Sequence, residues 1–124
     1  MSTRHAIRLA RALAIAATIF CWATAHAQVV WTVGIGRTSC GDALQNIKKH
    51  GAAYETHYLT WIGGFISGYN LALADKTQTN VRVGEGISNE QIAALFKDKC
   101  KRTPQKPLPQ VADEIRNELA AFRQ

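Results

Sequence analysis

The segment that most restricts the fold is residues 60–70, TWIGGFISGYN, which lies inside a helix predicted over residues 53–75. Large apolar side chains cover most of the circumference of this helix: Trp61, Ile62, Phe65, Ile66 and Tyr69. A helix that is apolar on every side has to be buried by other elements. The segment therefore predicts the central helix of an all-α domain.

Three glycines in this helix, Gly63, Gly64 and Gly68, cost it roughly 3 kcal/mol relative to alanine. With Thr60 and Ser67 they form a stripe of small residues along the helix. We predict that the stripe gives clearance to a closely crossing helix of the same domain, so that Gly64→Leu would collapse the stability of the fold. The alternative is a face that meets a partner or a second copy of the chain.

The first 27 residues have the three-part pattern of a secretory signal peptide. Arginines come first, an apolar run covers residues 12–23, and a small-x-small cleavage site ends at Ala27. At about a dozen residues the run is too short to cross a bilayer as a helix. We predict cleavage after Ala27 and a periplasmic location, with secretion as the alternative, and a single mature domain over residues 28–124.

Removal of the predicted signal peptide would lower the net charge, which is +6 for the whole chain. Three of the fifteen Lys and Arg residues belong to the predicted signal peptide, so the mature chain carries about +3. Nucleic-acid binding loses most of its support, since that function class depends on a strong excess of positive charge.

Two cysteines, Cys40 and Cys100, remain in the mature chain. An even pair in a small exported domain is typical of a disulfide, with two free thiols as the alternative. Both cysteines lie on the apolar faces of their predicted helices, as a buried bridge between helices requires. A bridge that closes a loop of about 60 residues stabilises the fold by roughly 4 kcal/mol.

Capping signals divide the mature chain into four helices that follow a short extended arm over residues 28–38. Ser39 is a predicted N-cap, and Gly51 ends the first helix. Ser88, with a glutamine three residues later, is a capping-box signature that follows a polar loop over residues 76–87. The predicted helices cover about residues 39–50, 53–75, 88–103 and 107–122.

The sequence contains no pattern that predicts a catalytic, cofactor or metal site. Ser67 lies between Gly64 and Gly68, which is the wrong spacing for a nucleophile elbow. His50 and His57 lie on either side of a helix break, and no further histidine or free cysteine completes a set of metal ligands. We therefore expect a non-enzymatic protein without a cofactor.

The run KDKCKRTPQK places five cations within ten residues: Lys97, Lys99, Lys101, Arg102 and Lys106. Cations at a helix C-terminus are favoured by the helix dipole, which is one explanation. The other is a basic patch that faces an anionic surface or an acidic partner protein.

Three motifs, GIGRTSCGD, WIGGFISGYN and FKDKCKRTP, resemble those of a widespread family of small exported bacterial proteins. That family has a W-x-x-G-[FY]-x-S-G-x-N core between two cysteines, the second of which precedes a proline. The matching residues are Cys40, Trp61, Gly64, Phe65, Ser67, Gly68, Asn70, Cys100 and Pro104. The resemblance covers nearly the whole mature chain.

In size, disulfide and helical layout the chain is also similar to two groups of periplasmic proteins, the immunity proteins against type VI secretion amidases and the acid-stress chaperone HdeA. This similarity implies binding to another protein, either a toxin enzyme or an unfolded client, and allows a homodimer. An immunity-type inhibitor is the leading expectation. The chaperone is the alternative, although the mature chain has few carboxylates with which to drive an acid switch.

Overall fold

The computed structural model describes residues 32–122, which contain four α-helices. In chain order, α1 is Cys40–His50, α2 is Ala52–Thr77, α3 is Asn89–Arg102 and α4 is Leu108–Ala121. No β-strand occurs among these residues, and the predicted all-α class is confirmed. The predicted signal peptide and the first four residues of the predicted arm lie outside the described residues.

The helices begin and end where the capping signals predict. The Ser39 hydroxyl accepts a hydrogen bond from the Asp42 N–H at the start of α1. At the start of α3, Ser88 and Gln91 form a reciprocal capping box, with each side chain accepting from the backbone N–H of the other. Gly51, at φ 75°, ends α1 and leads directly into α2. The left-handed conformation of such a cap is one that glycine adopts at little cost.

All four helices contribute to the core, which lies between one face of α2, the apolar stripe of α4 and the buried residues of α1 and α3. Tyr58, Ile62 and Ile66 are buried along α2 at a spacing of four residues, which places them on one face. The Tyr58 hydroxyl accepts a hydrogen bond of 3.0 Å from the Asn46 amide, so its polar atom is satisfied. The buried residues of α4 are Leu108, Val111, Ala112, Ile115 and Leu119.

A disulfide joins Cys40 of α1 to Cys100 of α3, as predicted. Their Cα atoms are 4.8 Å apart, and both side chains are fully buried. Beside the bridge, the Cys40 N–H donates to the Lys106 carbonyl at 2.9 Å, and the Gly41 N–H donates to the Pro104 carbonyl at 2.7 Å. The start of α1 is therefore tied both to α3 and to the turn that leads into α4.

A 3-10 turn over Gly34–Arg37 lies within the predicted arm, where the fragment Gly34-Ile35-Gly36 is typical of a turn. Val33 and Thr38, on either side of it, have extended backbones. Gly36 is buried against the indole ring of Trp61, and a Cβ at this position would lie only 2.6 Å from Trp61 Cε2. The glycine is therefore needed for the close approach of the turn to α2.

The loop between α2 and α3 is held by Asn70 of α2. The Asn70 amide donates to the Val83 carbonyl at 3.0 Å, and the Val83 N–H donates to the Asn70 side-chain oxygen at 3.2 Å. These two bonds imitate one pair of a β-ladder, because a side-chain amide presents the same donor and acceptor as a peptide group. Val83 and Ile87 then pack against the core.

Within residues 32–122, no helix has the length and apolar character needed to cross a membrane.

Removal of the disulfide by a Cys40→Ala/Cys100→Ala double substitution should lower the free energy of unfolding by about 4 kcal/mol, since the unfolded chain gains the freedom of a loop of 60 residues. Guanidinium denaturation of the oxidised protein and the double variant measures this difference. Reduction of the native protein is the matched control, and a loss below about 1 kcal/mol in both would contradict the predicted contribution.

Candidate functional site

The structure divides the W-x-x-G-[FY]-x-S-G-x-N residues between two sides of α2. Trp61 and Phe65 are half-buried, and their rings stack with centroids 5.8 Å apart. Gly64, Ser67 and Gly68 are exposed to solvent. The motif therefore contributes to the core through its aromatic residues and to the surface through its small ones.

The predicted close crossing at the glycines of α2 is wrong. A Cβ built on Gly63, Gly64 or Gly68 meets no heavy atom within 4 Å. The helices that bury α2 pack on the side of Ile62, and Gly64 and Gly68 lie on the opposite side. The prediction failed because large apolar residues cover most of the circumference of α2, so that burial of the helix on all sides was expected.

The exposed face of α2 is unusually poor in charge for a surface helix. Between Glu55 and Asp75 the helix contains no Asp, Glu, Lys or Arg. Near the C-terminal end of this face, Leu71 is 74% exposed. Because single exposed apolar side chains such as Leu71 are common on protein surfaces, the low charge is the feature that distinguishes this face.

A cleft of about 780 Å³ lies beside this face, between α2 and α3. Its walls are made mostly of short side chains, with Leu59 as the largest apolar residue. The short residues are Ala52, Thr56, Thr60 and Gly63 on α2, and Ala93 and Ala94 on α3. The cleft exists because these side chains do not fill the space between the two helices.

Three charged residues line the cleft, and two of them neutralise each other. Lys97 Nζ lies 2.6 Å from Glu55 Oε1, which joins the two walls. Glu90 makes no ion pair with any residue in the described range. A hydrogen bond from the Ser88 side chain, followed by one from its own backbone, lowers the pKa of the Glu90 carboxyl. The cleft therefore carries a net negative charge at neutral pH.

The five cations of the predicted basic patch are largely neutralised. Lys97 pairs with Glu55, Lys99 with Glu118 at 2.6 Å, Lys106 with Glu114 at 2.5 Å, and Arg102 with Asp98. Lys101 alone among the five has no ion pair within residues 32–122. Three of the four pairs join α3, or the turn after it, to another helix. These cations therefore connect elements of the fold, which favours the structural explanation of the run.

The two histidines considered as metal ligands flank an aromatic ring instead. The rings of His50 and Tyr54 stack with centroids 4.4 Å apart, and the ring of His57 lies 5.7 Å from that of Tyr54. No group of three or more metal-binding side chains occurs within the described range.

The cleft was not predicted from the sequence, although a signal for it was present. Short residues recur at helical spacing on the flank of α2, and Ala93-Ala94 places two more on α3. The sequence alone does not show that these two flanks face each other, because that depends on how the helices cross.

The chain matches no protein-family model, and comparisons with curated proteins and with solved structures find no significant match either.

Replacement of Gly64 by leucine should leave the fold intact and raise its free energy of unfolding by about 0.5–1 kcal/mol, because leucine is the better helix former and the site is open. Denaturation by guanidinium at low protein concentration measures the change. Gly36→Ala is the matched control and should destabilise, because Trp61 occupies the space that its Cβ needs. A loss above about 2 kcal/mol for Gly64→Leu would restore the close-crossing hypothesis.

Proposed function

We propose that this chain is a non-enzymatic protein of the periplasm that acts by binding another protein through the cleft between α2 and α3. The observation that carries the proposal is the cleft itself. It is an open space of about 780 Å³ lined mostly by short side chains, and the Glu90 carboxylate on its wall has no ion-pair partner within the described residues. Concave apolar sites with a few placed polar groups are where proteins most often bind their ligands.

The shape and charge of the cleft favour a bulky apolar side chain with a cation close to it. The small side chains in its walls, such as those of Gly63 and Ala94, leave room for a leucine or an aromatic ring. Glu90, which has no ion-pair partner within the described residues, favours a lysine or arginine of the bound protein. A large anchor side chain that fills a desolvated pocket is the commonest source of binding energy at protein interfaces.

The scaffold holds both walls of the cleft in place before a partner arrives. The Ser88–Gln91 capping box fixes the start of α3 at one end, and the Cys40–Cys100 bridge fixes its other end. The Glu55–Lys97 pair connects the walls directly. A site that is already ordered loses less conformational entropy on binding, so its affinity is higher for the same contacts.

The specific role that we propose is inhibition of a toxic cell-wall amidase, as in immunity proteins. The support for this role is the similarity to immunity proteins in size, disulfide and helical layout, together with a small fold that presents a preformed binding site. A gene for an exported or secreted amidase next to the gene for this chain would supply the enzyme for the test.

The purified protein should inhibit such an amidase in a peptidoglycan hydrolysis assay, and Ala94→Trp should weaken inhibition at least tenfold by filling the cleft. Glu90→Lys should weaken inhibition as well, because it places a cation opposite the expected cation of the enzyme. Gln110→Trp, on the exposed surface of α4, is the matched control and should inhibit like the native protein.

Equal inhibition by the native protein and by both cleft variants would show that the enzyme binds elsewhere. Absence of inhibition and of measurable binding by the native protein would exclude the immunity role. Circular dichroism of each variant confirms that a change in inhibition does not come from unfolding.

A second candidate function is an acid-stress chaperone, and the distribution of ion pairs favours it. Three glutamates, Glu55, Glu114 and Glu118, each pair with a lysine of a different element. An acid-stress chaperone has to open in strong acid, and ion pairs between elements are contacts that such an opening would have to break while the disulfide remains. The helices could then separate and expose apolar surface to an unfolded client.

The chaperone hypothesis predicts that the protein binds an apolar dye and suppresses aggregation of an unfolded client at a pH of about 2–3, but not at pH 7. Substitution of the three glutamates by glutamine should produce part of this behaviour at neutral pH. A protein that stays folded and inactive in acid would exclude this function and leave the inhibitor hypothesis unaffected.

A further inference from the structure

The exposed face of α2 is a second surface that borders the cleft at Thr60, and no part of the described chain covers it. Positions 53, 57, 60, 64, 67 and 71 follow one another at alternating steps of four and three, which is the spacing of a coiled-coil seam. Leu71 projects from this seam into solvent with 74% of its surface exposed.

The cost of the glycines has no compensation within residues 32–122. Gly64 and Gly68 have open space where a Cβ would stand, so alanine would fit and would favour the helix more. Glycine at such positions becomes useful when a second helix approaches the backbone from outside. The observation therefore points to a helical partner on this face.

The two ends of the face carry complementary polar groups. His57, near the N-terminal end, can donate a hydrogen bond to a carboxylate in either of its protonation states. The preceding helix ends with Lys48, Lys49 and His50, and residues 48–54 contain no carboxylate. Asp75 lies at the opposite end, and neither His57 nor Asp75 makes an ion pair within residues 32–122.

The spacing along the helix makes this face complementary to itself. If two copies of α2 lie antiparallel with the two-fold axis at the level of residue 66, Gly64 of each copy stands opposite Gly68 of the other. The same axis places His57 opposite Asp75. It also places Leu71 over the short side chains of Thr60 and Gly64. One axis thus accounts for the glycines, the exposed leucine and the hydrogen-bonding groups of His57 and Asp75 together.

We propose that a second copy of this chain docks on the exposed face of α2, antiparallel and related by the two-fold axis at residue 66. The interface is isologous, so each contact occurs twice, which is the commonest arrangement of protein dimers. The glycines allow a short distance between the helix axes, and Leu71 of each copy fills the hole that the glycines leave in the other. The face shares Thr60 with the cleft but contains no residue of α3, so the wall of each cleft that carries Glu90 and Ala94 stays available for a different protein.

The size of the face sets the strength of the association. From position 53 to position 75 the helix is roughly 33 Å long, and a helix is about 10 Å wide. A single helix pair of these dimensions falls at the low end of specific interfaces, below about 1,200 Å² in total. We therefore expect a dissociation constant of tens of micromolar, which corresponds to a dimer that forms and separates readily.

Sedimentation equilibrium of the oxidised native protein at about 1–500 µM tests the proposal, with a monomer–dimer equilibrium as the expected result. Gly64→Leu and Leu71→Glu should each weaken dimerisation at least tenfold, and Gly64→Leu should do so while the fold gains stability. Gln110→Glu on α4 and Ala94→Trp in the cleft are the controls and should dimerise like the native protein.

A charge exchange tests the position of the two-fold axis. Asp75→Lys alone should weaken the dimer, because the introduced lysine of each copy then faces a histidine of the other, and adding His57→Asp should restore it. A native protein that stays monomeric up to about 500 µM would overturn the proposal. A dimer that neither Gly64→Leu nor Leu71→Glu weakens would assign the interface to another surface. Neither result bears on amidase inhibition, which depends on the cleft.

Discussion

The bond between Cys40 and Cys100 is the constraint on which the other contacts depend. It holds the first residue of α1 beside the end of α3, and the hydrogen bonds from Cys40 and Gly41 add the turn before α4 to the same point. Three helices therefore form a frame that closes around one face of α2. The opposite face of α2 has no helix left to cover it within the described residues, and the cleft opens where α2 and α3 separate.

Local signals were sufficient for the parts of this fold that neighbouring residues determine. Ser39, Gly51 and Ser88 mark helix ends through hydrogen bonds or backbone angles that involve only residues nearby in the chain, and each prediction is confirmed. The Cys40–Cys100 pairing could also be predicted, because these are the only two cysteines in residues 28–124 and both lie on apolar helix faces.

Features that depend on how the helices cross could not be predicted from local sequence signals. Trp61 and Gly64 lie in the same short motif, but which of them faces the core is decided by where α1, α3 and α4 stand. The carboxylate partners of Lys97 and Lys99 lie on other helices. The run of cations in the sequence therefore forms ion pairs between helices, which the sequence alone does not show. The cleft was missed for the same reason, since its two walls are far apart in the chain.

The pairing of Asn70 with Val83 has a consequence for how much the neighbouring loop can vary. Because two side-chain hydrogen bonds hold the loop at Val83, the packing of Val83 and Ile87 does not depend on the residues that precede them. Residues 78–80 are all exposed. Because Gln78 caps α2 and bonds to the Asp75 carbonyl, Asn80 is the position of the three at which a label or an inserted epitope would stand on the surface away from the end of α2.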